Sequence, residues 1–202
     1  MSIRRVDLAN AKHMPWKNGA GSTAELAIAP PGASLDDFAW RISSAKVAGH
    51  GSFSSFSGLD RSLAILSGAG LRLHSEASAP LELTTDSQPW AFQGETTVYA
   101  ELIDGEVTDF NLISRRADWT HDLQSLNIST SHRLAAAEQT TVLMIYCHAG
   151  GPLTCQFKGE QQLLSAGQGL LLDEADAKHA ITLSTQIPSK VYLAHLQQRA
   201  SH

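Results

Sequence analysis

Leu63–His74 reads LAILSGAGLRLH. A short apolar run meets a Ser-Gly-Ala-Gly break. Then Leu71 and Leu73 alternate with Arg72 and His74. The pattern spells strand, tight glycine turn, strand. Outward from this stretch the texture repeats. Ala24–Ala29 (AELAIA) stops at Pro30-Pro31-Gly32, and in Phe38–Ser43 (FAWRIS) Trp40 and Ile42 oppose Arg41 and Ser43. Leu81-Glu82-Leu83 alternates, and Thr97–Ile103 ends at Asp104-Gly105. Helical periodicity is scarce. Ser34-Leu35-Asp36-Asp37 suits the cap of a single turn, and His132–Gln139 is a short Ala-rich candidate helix.

The second half follows a similar plan. Strand candidates run from Thr141 to His148, Leu153 to Lys158, Gln161 to Leu164, Leu170 to Leu172, Ile181 to Leu183 and Val191 to Leu196. Short antiparallel strands in this order resemble one cupin barrel, a jelly roll. Two such halves predict an all-β, two-barrel (bicupin) molecule with few short helices, although a β-sandwich reads similarly. The expected divisions are an N-terminal half at 1–116 carrying the candidate pocket, a polar connector at 117–140, and a C-terminal half at 141–202.

Composition narrows the function classes. The chain has 202 residues, 43% of them hydrophobic and 17% charged, with a net charge of -5. Disorder requires lower hydrophobicity and higher net charge. Nucleic-acid binding usually needs a basic surface. Charge is spread evenly along the chain, with no basic arm or acidic tail. The basic start MSIRRVD lacks the apolar stretch of a signal peptide. No apolar run approaches the ~18 residues that span a bilayer. The expectation is a soluble cytoplasmic protein. Cys147 and Cys155 flank Gly150-Gly151. Their symmetric spacing leaves two readings, buried thiols or a disulfide across a hairpin.

The familiar chemical motifs are absent. Nine histidines include no His-x-His and no HExxH, which leaves only a metal site assembled from distant strands. There is no GxSxG and no Walker loop, and Gly68-Ala69-Gly70 lacks a dinucleotide fingerprint. No metal and no cofactor are expected.

Polar clusters around glycine and aromatic residues stand out instead. PWKNGAGSTAE (15–25) brings Asn18, Thr23 and Glu25 to a glycine turn entering a strand. Arg41 and Ser43 share a strand face. If that face is interior, Arg41 needs a carboxylate from the protein or from a ligand. GSFSSFSGLDR (51–61) sets Phe53 and Phe56 in a Ser- and Gly-rich loop before Arg61. That arginine either pairs with an acid such as Asp60 or points across a barrel mouth. Asn111 interrupts the apolar strand DFNLI (109–113).

Taken together, PWKNGAGST, WRIS, GSFSSFSGLDR and DFNLISRR resemble the HutD/Ves family, collinearly from Pro15 to Arg116. The resemblance implies a two-barrel cupin-like fold without the usual metal motif. It implies a bacterial auxiliary or regulatory role in histidine utilisation, through binding of a small acid such as formylglutamate. The family's polar positions map to Asn18, Thr23, Glu25, Arg41, Ser43, Phe53, Phe56, Arg61 and Asn111. Ala20 and Trp90 depart from the residues that relatives tend to carry. The expected partner is a small anionic metabolite, with no nucleic acid and no membrane. A homodimer is left open. Arg61, then Arg41, is expected to grip carboxylate, with micromolar to millimolar affinity on the order of the weaker specific complexes. Two rival readings stand beside this one. One is a metal-independent enzyme with Glu25 as acid or base. The other is a protein-binding module anchored by Phe53 and Phe56.

Overall fold

A computed structural model of the chain describes residues 3–16, 19, 21–76 and 78–200. It is almost entirely β. The first strands are β1 (Arg4–Asp7), β2 (Lys12–Pro15), β3 (Gly21–Ala29), β4 (Trp40–Val47), β5 (Gly51–Ser52) and β6 (Leu59–Ser67). Next come β7 (Leu71–Ser75), β8 (Ser78–Leu83), β9 (Trp90–Gln93), β10 (Val98–Leu102), β11 (Val107–Arg115) and β12 (Trp119–Ile128). The last are β13 (Ser131–Leu134), β14 (Val142–Ala149), β15 (Leu153–Phe157), β16 (Glu160–Leu164), β17 (Gln168–Asp173), β18 (Ile181–Thr185) and β19 (Ser189–Gln198). No helix among the described residues is long and apolar enough to cross a membrane.

The chain divides into two compact units. One comprises residues 11–120, the other residues 3–10 and 121–200. The 11–120 unit has a six-stranded sheet, β2-β3-β4-β11-β6-β9, and a four-stranded sheet, β5-β10-β7-β8. Leu63 and Ile65 of the first sheet and Leu71, Leu73 and Val98 of the second share an apolar core. The other unit also has two sheets, β1-β17-β14-β19-β12 and β13-β18-β15-β16. Its core includes Ile145, Leu153, Leu170, Leu183 and Leu193.

The opening stretch forms two strands, but they do not pair with each other. β6 lies in one sheet and β7 in the other. The glycine turn between them therefore crosses from sheet to sheet. Gly68 and Gly70 adopt φ +94 and +113, and a Cβ on either would strike a backbone oxygen, of Glu106 or Leu83. The Gly150-Gly151 turn behaves likewise. Cys147 on β14 and Cys155 on β15 lie in different sheets, and both are buried free thiols. Burial raises both thiol pKa values, that of Cys155 to about 12.

Several local expectations change. Residues 117–140, read from composition as a connector, carry β12 and β13. In β12, Trp119, Leu123 and Ile128 are buried among exposed or half-buried neighbours, so polarity marks its outward residues. His132–Gln139 is not helical. Its first residues pair with β18, as His132 opposite Leu183. Around Ser34 there is no helix either, and the Asp37 carboxylate accepts from both the N–H and the hydroxyl of Ser34. Among the described residues the α-helix is a single turn, α1 (Glu174–Ala177), capped by Asp173, whose carboxylate accepts the Asp176 N–H.

Candidate functional site

Strand alternation builds a polar band on the inner face of the six-stranded sheet. Along β11 the residues on this face are Val107, Asp109, Asn111 and Ile113. Val107 belongs to the core described above, and Ile113 to a second apolar cluster with Ile28, Phe38 and Leu59. Asp109 and Asn111 lie between the two. Register extends the band across strands. Asp109 opposes Ala45, Asn111 opposes Ser43, and Ile113 opposes both Arg41 and Arg61. Glu25 on β3 opposes Ser43, and Thr23 opposes Ala45. Above this band lies a cavity of about 610 Å³ with largely apolar walls.

Arg61 is 6% exposed, yet it makes no ion pair at hydrogen-bond distance among the described residues. Nη1 donates to the Ser54 carbonyl at 3.1 Å, and Nη2 donates to Asn111 Oδ1 at 3.0 Å. Nε–H is buried without a partner. The guanidinium lies 5.1, 5.5 and 5.0 Å from the ring centroids of Phe53, Phe56 and Phe92. Phe92 also stacks on Trp90 at 4.2 Å, so the departure at position 90 reinforces this wall. The aromatic quadrupoles favour the cation. They do not replace water fully, and burial lowers the Arg61 pKa to about 10 against the opposing charge of Asp109.

Asn111 bridges Arg61 to a buried carboxyl group. Its Nδ2 donates to Asp109 Oδ1 at 2.7 Å, and the Ala45 N–H donates to the same oxygen at 3.0 Å. Asp109 is 2% exposed. Burial raises its pKa to about 7, opposed by the Ala45 N–H, the charge of Arg61 and the Asn111 amide. Two neutral donors and a cation one amide away compensate only part of the desolvation.

The other side of the cavity is held by Arg41, whose Nε donates to Glu25 Oε2 at 2.9 Å. Trp16 Nε1 donates to Thr23 Oγ1 at 2.8 Å. Gly21 is required beside them. A Cβ there would lie 2.2 Å from the Lys46 carbonyl and 3.0 Å from the Trp16 ring. His50 lines the mouth, and its Nδ1 accepts the Leu102 N–H at 3.0 Å, which leaves the proton of a neutral ring on Nε2.

Of the residues singled out by sequence, Thr23, Arg41, Ser43, Phe53, Phe56, Arg61 and Asn111 line this cavity. Glu25 reaches it through Arg41. Asn18 lies outside the described residues. Asp60, the alternative acid for Arg61, pairs with Arg116 instead, at 2.7 Å. Sequence reasoning passed over Asp109, His50 and the indole of Trp16 as site residues. Asp109 had a usable signal: it sits two residues from Asn111, hence on the same strand face. His50 had none, because the Leu102 N–H that orients it is remote in sequence. Among the described residues, no group of three or more His, Cys, Asp or Glu side chains is placed to hold a metal ion.

The paired sheets around a polar-banded cavity define a cupin-like β-protein. Solved structures of low identity share this fold alone, among them Lactobacillus farciminis oxalate decarboxylase, at 6% identity and TM-score 0.65. The chain belongs to the HutD family, whose model matches residues 8–193. It is 44% identical over 102 residues to an uncharacterised 21.2 kDa protein in the hutC 3′ region of Pseudomonas putida, covering 50% of this chain and 52% of that protein. The chain spans about half the length of the curated relatives it matches. A conserved protein of unknown function from Pseudomonas aeruginosa PAO1 superposes with TM-score 0.87 at 32% identity, covering 98% of this chain and all of that one. HutD from Pseudomonas fluorescens SBW25, in a structure described by its formate condition, gives TM-score 0.82 at 29% identity over 98% and 100% of the two chains.

Proposed function

We propose that the cavity of the 11–120 unit binds a small carboxylic acid of the formylglutamate type. In this reading the protein serves histidine utilisation as a metabolite-binding auxiliary rather than as a catalyst. The observation that carries it is Arg61, a buried cation at a cavity wall whose hydrogen-bond acceptors are both neutral. A guanidinium has five N–H groups, and two of them are engaged. A ligand carboxylate supplies a counter-charge in direct contact, where Asp109 stands one amide away, and accepts from the free hydrogens of Nη1 and Nη2. Arg41 lies two strands away in the same row and offers a second anchor, while Ser43 and Asn111 between them suit an amide. The hutC-region relative supports the pathway.

The contacts of Phe53 and Phe56 with Arg61 favour a wall over an exposed docking anchor. Glu25 is engaged by Arg41, which favours a positioning role over acid–base work. Thermal shift with N-formyl-L-glutamate, glutarate and the neutral diamide of glutarate tests the reading. Ligand at 100 times its Kd stabilises by about 2.7 kcal/mol. For a chain of this size that is roughly 5–10 °C in Tm. The acids should give the shift and the diamide should not. Equal shifts from acid and diamide, or none from any, count against carboxylate recognition.

A further inference from the structure

Arg61, Asn111 and Asp109 form one continuous array in which a single amide touches both charged groups. Asn111 accepts from Arg61 with Oδ1 and donates to Asp109 with Nδ2. Asp109 is thus the internal counter-charge of Arg61, held one amide away. Its position is costly for a carboxylate, because the group is 2% exposed and both hydrogen bonds to its Oδ1 come from neutral groups. An anion arriving at Arg61 duplicates the negative charge that Asp109 supplies. Two anions around one buried cation repel in a low-dielectric site, and a proton on the carboxyl relieves the repulsion.

We propose that the cavity takes up its anion together with a proton, and that Asp109 is the group that receives it. This rests on the carboxylate reading of the site and adds its regulation: affinity falls as pH rises. The direction follows from linkage. The free-state pKa of Asp109 is raised to about 7 by burial, and a bound anion raises it further. Below that value Asp109 is already protonated, and binding takes up nothing. Above it, binding must also draw a proton from solvent, so Kd rises with pH until the bound-state pKa is passed. Arg61, at about 10, remains charged throughout.

Among the described residues, the other charged groups near this array are paired with one another. On β4 the inner face holds Arg41, Ser43 and Ala45, and Arg41 is paired with Glu25 of β3. On β6 it holds Arg61. Lys46 and Glu106 pair with each other at the surface, at 2.7 Å. His50 lines the same cavity and its imidazole is a second possible proton acceptor, so it is the necessary control.

The test is calorimetric titration of the intact protein with N-formyl-L-glutamate and with glutarate, between about pH 6.5 and 8.5. If the bound anion weakens the acidity of Asp109 by roughly ten- to a hundredfold, Kd should weaken roughly 5- to 20-fold across that range. At about pH 7.5, titration in two buffers of different ionisation enthalpy should show uptake of roughly half to three quarters of a proton. Asp109→Asn preserves the acceptor and the shape, and should bind with a flat pH profile at the low-pH affinity. His50→Gln should keep the slope, whatever it does to affinity. A flat wild-type profile with no buffer dependence overturns proton coupling and leaves the carboxylate site standing. A slope lost in His50→Gln and kept in Asp109→Asn moves the proton to His50 and also overturns it. If no acid binds at any pH, the carboxylate reading itself fails. Should Asp109→Asn not fold, the buffer experiment on His50→Gln decides: uptake that persists supports Asp109, and uptake that is lost overturns it.

Discussion

Asp109 carries a stability consequence that needs no ligand. Its folded pKa of about 7 stands above the ordinary carboxylate value of 3.8. Between those values the unfolded chain has released its proton and the folded chain has not. The group therefore favours folding most fully below about pH 4, and that contribution is lost as pH rises through about 7. Holding this carboxyl at about 7 rather than 3.8 costs the fold about 4 kcal/mol at alkaline pH, where the buried group must ionise. Asp109→Asn removes the ionisation, so the variant should gain stability relative to wild type as pH rises from about 4 to 8. Urea unfolding at several pH values reads this directly, and a constant difference between the proteins argues that Asp109 is not the titrating group. At the same scale, Arg61→Ala leaves the Asn111 carbonyl without its donor and takes the cation from the cavity. It should weaken acid binding by at least tenfold, on the order of 1.4 kcal/mol or more. The residues of this site were legible unevenly. Arg41, Arg61 and Asn111 announced themselves as polar residues in apolar strands. Asp109 stood beside a strand start, where an aspartate usually means a turn. Its burial follows from pairing with Ala45 across β4, a contact some 64 residues away.

Among the elements, the 53–58 loop that forms the Arg61 cage is fixed by a glycine outside it. Gly94 donates to the Leu59 carbonyl at 2.7 Å and accepts from the Phe56 N–H at 2.8 Å. A Cβ on Gly94 would meet the Phe56 carbonyl oxygen at 2.5 Å and that of Leu59 at 2.9 Å. Gly94→Ala must therefore displace the loop. We expect a loss of stability of about 1–3 kcal/mol, within the range of local overpacking, together with weaker acid binding. Unchanged values for both would show that the loop backbone accommodates the change. The contrast with Leu63–His74 shows where sequence reading stopped. Period-two alternation and glycine breaks located the strands on both sides of the turn. They did not say whether the turn closes a hairpin or crosses between sheets, because both need glycine at positive φ. That choice is made by remote pairing, of β6 with β11 and β9 and of β7 with β10 and β8. The same ambiguity allowed a cross-hairpin reading of Cys147 and Cys155.

At the scale of the molecule, the N-terminal strand joins the unit formed by residues 121–200. β1 pairs with β17, with Val6 opposite Gly169, and a Cβ on Gly169 would lie 3.0 Å from the Val6 side chain. Its burial pattern, with Val6 alone buried among four residues, is too brief to read from sequence. Deleting residues 1–10 turns β17 into an open edge. Thermal unfolding should fall by several degrees, on the order of 1–3 kcal/mol for one buried valine and its ladder. An unchanged Tm would mean that β1 adds nothing to its sheet. Polar composition hid β12 and β13 in the same way, since edge and half-exposed strands carry little apolar signal. The cavity itself lies within the 11–120 unit, where a mildly acidic chain concentrates two buried arginines. Whether Arg61 anchors an acid is decided by titrating the wild-type protein and Arg61→Ala with N-formyl-L-glutamate at about pH 6.5. Wild type should bind saturably, in the micromolar to millimolar range on the order expected for such a site, and the variant should lose at least tenfold. Equal affinity of the two proteins, or no binding by wild type, would contradict the anchoring role of Arg61.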